Sequence, residues 1–502
     1  METMISFLLF MFLLLSVILY LPLQFSIKRI RKTGFKIYPL MGILPELVKN
    51  RHRFLEWNAE MLSYCPTNTV VHRFYGKAHD VITANPSNVE HMVKTNFDNY
   101  PKGERVTSPF VDLFGQGLFN SDGDVWKVHR KTTSYGINAK LFRNFIMESV
   151  VVDVETRLVR FLERASVTGQ ILDLQNVLER FGFDNACKLA FDVELGSLEG
   201  DGSAAGLQFK RAYERSSRIS VIRLMYLSPF LWKLKRFFKL GSERRLKESI
   251  TTVHRFADNI IRSRIDGTMR DNGDDFLSQL IGNDISGQSP EFLRDMILTF
   301  ILATRDTVSS ALTWFFWFVY SRSGIKLNIL KELESIRVRN GKNIGESYSL
   351  DELRDMHYLH AAISETMRLY PPIPIESRTC LKDDVLPDGT FVRKDSTLSY
   401  NAYAMGRMES IWGKNCHEFR PERWLENGIF RPESPYLYPI FNAGPRMCLG
   451  KDVAFIQMKY IAAAVIERFE LNIQKDKCPE LLLCLSLRMK GGLPVTVGVK
   501  KN

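Results

Sequence analysis

Phe441-Asn442-Ala443-Gly444-Pro445-Arg446-Met447-Cys448-Leu449-Gly450 is the stretch on which the reading of this chain turns. Its Gly444-Pro445 pair marks a tight turn just ahead of Cys448. An iron porphyrin with a thiolate ligand needs such a turn. The cysteine must be stripped of water and fed by backbone N–H groups, with glycines that let the backbone crowd the macrocycle. An arginine beside it can reach an anionic propionate. The thiolate pushes electron density onto the iron and favours O–O cleavage. Two other readings fail. The run is not a phosphate loop, because five residues separate Gly444 from Gly450-Lys451 and Asp452 stands where Ser or Thr is required. A merely buried cysteine leaves the surrounding Phe441, Gly444, Arg446 and Gly450 without a reason.

Working outward, the longest helix signal begins at Ser289-Pro290-Glu291, with a cap, a first-turn proline and an acid at the positive end of the dipole. The run to about Ser321 would extend roughly 45–50 Å. It is apolar nearly all round, which predicts a buried central helix, and Arg305 and Asp306 in its middle argue against a membrane span. Ala303-Thr304-Arg305-Asp306-Thr307 forms a polar notch there, and an alcohol beside an acid suits proton relay into a dry pocket. Glu365 and Arg368 share one helix face. Trp126-Lys-Val-His-Arg130, Arg378 and Phe419-Arg-Pro-Glu-Arg423-Trp424 are the other notable groupings. His357 and His360 also lie three apart, but with no third ligand near them they read as packing.

Taken in order, these motifs resemble those of the cytochrome P450 superfamily, and the resemblance covers nearly all of the chain. It implies a mainly α fold with a minor β portion and haem b (iron protoporphyrin IX) as cofactor. By that resemblance Cys448 is the axial iron ligand within the Phe441, Gly444, Arg446 and Gly450 motif. Trp126, Arg130 and Arg378 then serve the propionates, Glu365, Arg368 and Arg423 form a structural network, and Asp306 and Thr307 deliver protons to O2. Electrons come from NADPH through an NADPH-cytochrome reductase, whose acidic face would meet a basic surface here. Two departures stand out: Thr304 replaces the usual glycine, and Val308 stands where close relatives commonly have a second threonine.

Tyr403-Ala-Met-Gly-Arg407-Met-Glu409-Ser-Ile-Trp412-Gly413 and the run Cys448–Lys459 resemble the plant clan of ω-hydroxylases. That implies a hydrophobic small-molecule substrate, a fatty acid or jasmonoyl conjugate oxidised at its terminal carbon. The alternative is the same oxidation on a steroid side chain. Phe300, Ala303, Thr304, Ile373, Ile375 and Leu485 are the expected pocket residues, with the Val106–Phe119, Pro372–Ile375 and Leu485–Leu487 segments around them. A hydroperoxide isomerase or dehydratase needing no reductase is a third possibility, against which Asp306-Thr307 argues.

With 502 residues, 45% of them apolar, the chain has material for a large core, and no linker or repeat divides it. Residues 46–502 are expected to form one catalytic domain. Ile5–Ser26 carries no charge and Lys28, Arg29, Arg31, Lys32 and Lys36 follow at once. This predicts an uncleaved membrane anchor over 1–27 and a basic, proline-containing linker over 28–45. The positive-inside rule then leaves the catalytic domain in the cytoplasm, on the endoplasmic reticulum membrane. A formal charge of +12 favours an anionic partner, and nothing resembles a nucleic-acid module. Seven scattered cysteines do not make a disulfide framework. Strands are expected at Thr69–Tyr75, Asp80–Ala84 and Thr390–Ser399, and a surface loop at Leu195–Gly206. The mix of Trp232, Phe237 and Phe238 with Lys233, Lys235, Arg236 and Lys239 suits either a contact with the bilayer surface or a solvated helix.

Overall fold

The structure, a computed structural model, describes residues 42–500 apart from 74–78, 139, 227–228, 269–272, 283–288 and 475–478. The anchor expected over 1–27 therefore lies outside the described residues. Among those described, no helix is long and apolar enough to cross a membrane.

The helices that place the site are α1 (Gly123–Asn138), α2 (Leu174–Phe191), α3 (Ala204–Leu224), α4 (Pro229–Phe237), α5 (Ser242–Ile265), α6 (Pro290–Tyr320), α7 (His357–Leu369) and α8 (Lys451–Arg468). The long helix α6 starts where the sequence indicates: Ser289 accepts a hydrogen bond from the Phe292 N–H, and Pro290 opens the first turn. Its buried residues point in every direction, from Leu293 and Ile297 to Trp314 and Val319. α6 is the axis of the main apolar core, to which α2, α5, α7 and α8 all contribute. At Gly182 of α2 an added Cβ would lie 3.1 Å from the Arg305 carbonyl, so glycine allows α2 to close on α6 at that level.

The β portion is small. One four-stranded sheet runs Thr69–Arg73, His79–Thr83, Thr397–Asn401 and Ile375–Thr379 in spatial order. Its middle pair is parallel and the outer pairs antiparallel. The single strand expected at Thr390–Ser399 is two, Phe391–Val392 and Thr397–Asn401, separated by a turn in which Asp395 takes φ 62°. Further strands near the C-terminus, including Leu481–Leu483, Leu487–Met489 and Pro494–Val499, carried too short a pattern to be foreseen.

Two other expectations change. Leu195–Gly206 is only partly a surface loop, because Leu195 and Leu198 are fully buried. Asp184 holds the loop down by accepting the Ser197 and Leu198 N–H groups. Trp232 is likewise buried rather than surface-facing, with the Arg223 guanidinium 4.6 Å above its ring. An aromatic ring under a desolvated cation is a favourable arrangement.

Candidate active site

A cavity of about 360 Å³ opens between the Cys448 turn and α6. Cys448, Leu449 and Gly450 line one side, and Ala303, Thr304, Asp306 and Thr307 line the other. The Cys448 turn is built by backbone. Gly444 has φ 62°, and a Cβ there would fall 2.0 Å from the Val93 carbonyl oxygen, so only glycine fits. The Cys448 N–H donates to the Phe441 carbonyl at 2.8 Å. The cysteine is exposed toward the cavity, yet it lies deep among protein atoms. That burial pushes the thiol up, opposed by the Gly450 N–H and by Arg130.

One edge of the cavity is rich in cations, buried or half-buried. Arg130 donates to the Met447 carbonyl at 2.5 Å. Arg446 lies 4.3 Å over the Trp126 ring and donates to the Ser121 carbonyl and to Asp122. Arg378 is buried behind the cavity wall and pairs with Glu376. Sequence reasoning missed Lys102, which lines the cavity 3.7 Å from Glu376 and 3.5 Å over the Phe119 ring. Tyr100-Pro101-Lys102-Gly103 was the available signal, a turn that fixes a lysine. Gly103 has φ 73°, and Asp122 accepts the N–H groups of both Lys102 and Gly103 at 2.9 Å.

The charges around this edge are Lys102, Arg130, Arg378 and Arg446 against Asp122 and Glu376, which is 4 − 2 = 2 positive charges in excess. Burial lowers Lys102 to about 8 and Arg446 to about 10, each helped by neighbouring arginines. Burial alone would raise Glu376, but Lys102, Arg378 and Arg446 hold it down to about 2. The buried Nε of Arg446 has no hydrogen-bond partner among the described residues. An edge carrying two uncompensated positive charges and an orphaned guanidinium donor fits a group bearing two carboxylates. Haem b, with two propionates on the rim of an apolar disc, meets that description, and Cys448 faces the same space.

On α6, Thr307 donates to the Ala303 carbonyl at 2.7 Å and Thr304 to the Phe300 carbonyl at 2.9 Å. Asp306 takes a hydrogen bond from the Nε of its neighbour Arg305 at 2.6 Å. Of the expected pocket residues, Phe300, Ala303, Thr304, Ile373 and Leu485 line the cavity, but Ile375 does not. Successive strand residues face opposite sides. Glu376, paired in register with Tyr400, takes the cavity side with it, and Ile375 packs instead against Leu55, Tyr403 and Leu487. Of the Val106–Phe119 segment, Leu118 and Phe119 reach the cavity.

Glu365, Arg368 and Arg423 meet away from the cavity. Arg368 donates to both Glu365 oxygens at 2.7 and 2.8 Å, and Arg423 adds a third bond at 2.8 Å. His360 is stacked between Phe430 and Phe455, ring centroids 3.9 and 4.0 Å away, and burial lowers it to about 2. Among the described residues no group of acids, histidines and cysteines could hold a metal ion, and the six described cysteines are free thiols.

The Cytochrome P450 family model matches residues 33–495, and this chain belongs to the cytochrome P450 family. Haem b is its cofactor, and it is a haem-thiolate monooxygenase that uses O2 and electrons from NADPH supplied through a reductase. Cytochrome P450 CYP94D108 of Paris polyphylla is 51% identical over 463 residues, covering 91% of each chain. Cytochrome P450 94A1 of Vicia sativa is 40% identical over 477 residues, 92% of this chain and 90% of that protein. The crystal structure of the cytochrome P450DA heme domain shares the fold, with a TM-score of 0.76 at 19% identity over 93% of this chain and 97% of that one.

Proposed function

We propose that this enzyme hydroxylates the terminal carbon of a lipid chain, a fatty acid or acyl conjugate. The observation carrying this reading is the make-up of the cavity. Leu118, Phe119, Ile146, Phe300, Ile373 and Leu485 supply apolar walls to the space between Cys448 and the Ala303–Thr307 notch. A terminal C–H bond is harder to break than its in-chain neighbours, so regiochemistry must come from positioning. An apolar enclosure that admits one chain end supplies it. The resemblance to the plant ω-hydroxylase clan points the same way.

The haem supplies an iron on which O2 is activated, and its thiolate ligand favours O–O cleavage. Cys448 Sγ is the ligand in this reading. Arg446, Arg130, Trp126 and Lys102 hold the propionates, with Arg378 and Glu376 setting the charge behind them. Asp306 brings protons to the α6 notch. Thr307, whose hydroxyl hydrogen points back to the Ala303 carbonyl, presents an acceptor oxygen to the cavity. The apolar walls keep bulk water out. On the Cys448 side, Lys127, Arg130 and Lys131 border an open surface recess beside Leu449, which suits an acidic reductase face.

Thr304 favours a second reading, oxidation of a steroid side chain. It adds bulk and a hydroxyl to the cavity wall where the family usually has glycine. The test is expression of the full chain with a plant reductase on dodecanoic and longer fatty acids, jasmonoyl-isoleucine and side-chain-hydroxylated sterols, with the oxygen located by mass spectrometry. Oxygen on the last carbon of acyl substrates is the expected result. Turnover confined to the sterol terminus moves the enzyme to the second reading, and Thr304→Gly should then shift activity back toward acyl chains.

The chain is further proposed to be a single-pass protein of the endoplasmic reticulum, held by residues 1–27 with the catalytic domain in the cytoplasm. Helix α4 makes a second contact with the bilayer. Phe230, Leu231, Leu234, Phe237 and Phe238 are exposed there, among Lys233, Lys235, Arg236 and Lys239. Each aromatic ring buried in lipid is worth about 1.5–3 kcal/mol. In a chain lacking residues 1–27, replacing Phe237 and Phe238 by serine should therefore cut residual binding to anionic vesicles at least about tenfold. Unchanged co-sedimentation would remove α4 from the membrane surface.

A further inference from the structure

We propose that Glu179 is the proton-entry residue of this enzyme, exchanging protons with solvent and passing them to Asp306 across the seam between α2 and α6. The proposal rests on the preceding assignment of Asp306 as the acid that serves the α6 notch. Glu179 acts through Asp306 and touches neither haem nor substrate.

The seam is built for close approach. Glu179 lies one helical turn before Gly182, on the same face of α2, and Gly182 brings α2 within 3.1 Å of the Arg305 carbonyl, counted from an added Cβ. Across this seam the charges of Asp306 and Arg305 act on the Glu179 carboxyl. Asp306 borders the cavity, while its Oδ1 is held by Arg305 Nε at 2.6 Å, so exchange falls to Oδ2. The Arg305 guanidinium is fixed over the Phe183 and Tyr213 rings at 5.3 and 5.6 Å. Its Nη1 is buried with no partner among the described residues, a donor able to order a water molecule between the two acids. At the outer end, Glu179 Oε2 accepts from Arg488 at 2.5 Å, and the side chain keeps 18% of its exposure. One carboxyl therefore has solvent on one side and the Asp306 pair on the other.

The groups facing Glu179 are Arg488 from the Leu487–Met489 strand, Asp306 and Arg305 from α6, and Glu214 from α3. Cys484 and Arg218 adjoin the same cluster. Burial pushes Glu179 up to about 7 against the pull of Arg488, with Asp306 and Glu214 adding to the rise. A carboxyl that both releases and regains its proton near neutral pH is suited to relay. The reaction needs that supply. Each hydroxylation consumes O2, two electrons and two protons, leaving one oxygen in the product and one in water. Glu179 gives a proton to Asp306 Oδ2 and recovers one from solvent, so it is unchanged over the cycle.

The test compares wild type with Glu179→Gln, Glu179→Asp, Arg488→Met and Asp306→Asn as full-length holoenzymes. The first readout needs no turnover: an infrared carboxylic-acid band that titrates near pH 7 and is missing from Glu179→Gln. The second is product formed per NADPH with dodecanoic acid from pH 6 to 8.5. Wild type should bend near pH 7, and Glu179→Gln should lose the bend and about tenfold in coupling, less than the roughly 10²–10⁴-fold of a general acid acting directly, because water can still reach Asp306 by slower routes. Glu179→Asp should restore it. Arg488→Met removes a cation that favours the carboxylate, so its bend should move to higher pH, which a merely structural role would not produce. No titrating band, or a wild-type profile in Glu179→Gln, overturns the proposal. If Asp306→Asn is uncoupled while Glu179→Gln is not, only the entry residue is wrong. If neither is uncoupled, the role of Asp306 falls too. Wild type that leaves dodecanoate untouched counts against the acyl substrate, and the infrared titration then decides Glu179 on its own.

Discussion

Cys448→Ala is expected to abolish the thiolate-type spectrum of the reduced carbon monoxide complex and to lower hydroxylation below detection. Cys448 is the one cysteine on the cavity wall among the described residues. Of the other described cysteines, Cys187, Cys380 and Cys416 are buried elsewhere and Cys65 and Cys484 lie outside the cavity lining, so none of these replaces it. The loss should be chemical and not structural. The turn is held by the Cys448 N–H bond to Phe441 and by the Gly444 backbone against Val93, and alanine keeps both. The Sγ atom faces the cavity, so its removal enlarges an existing space and opens no new void in the core. Stability of the haem-free protein should therefore change by no more than about 1 kcal/mol, within the range of mutations that break no packed contact. Absorption spectra of the reduced complex, with far-ultraviolet circular dichroism as a control, check both halves. Survival of the thiolate-type spectrum would overturn the assignment of the iron ligand.

What the sequence made legible and what it hid divide along a physical line. The Cys448 turn, the Glu365/Arg368 pair and the Ser289-Pro290 helix start are all local. Their chemistry lies within about one turn of chain, and spacing alone exposes it. Lys102, Asp122, Glu376 and Glu179 have no such signature. Each gains its meaning from a partner far along the chain: Lys102 meets Glu376, Asp122 meets Arg446, and Glu179 meets Arg488. Ile375 was misplaced for a related reason. Its apolar character suited a pocket wall, but pairing opposite Asn401 turned it away and turned the acid Glu376 inward. Trp232 failed similarly, since no pattern within α4 announces that Arg223 of α3 will cover its ring.

Glu365→Gln should prevent accumulation of folded, haem-loaded protein. Both Glu365 and Arg368 are completely buried. Glu365 accepts from Arg368 Nε and Nη2, Arg423 Nε, the Arg420 N–H and Trp424 Nε1, so every neighbour is a donor. A glutamine amide would point its own N–H groups at those donors and leave the Arg368 charge uncompensated. Breaking a buried ion pair from one side costs about 3–5 kcal/mol, against a total of about 5–15 kcal/mol for a typical domain. Arg368→Lys should not substitute, because Arg368 also donates to the Gly406, Cys416 and Glu418 carbonyls and lysine lacks the fork to reach them. The double change Glu365→Leu with Arg368→Met removes both charges and should be less damaging than Glu365→Gln, although the Arg423 Nε and the Gly406 and Cys416 carbonyls each lose a partner. Thermal melting and haem content give the ranking, and a double variant worse than the single one would argue against charge burial as the cause. The damage should reach the iron side first. Tyr438 donates to the Ser364 carbonyl at 2.9 Å, joining α7 to the segment that leads into Phe441, so loosening the network releases the Cys448 turn before the α6 core opens.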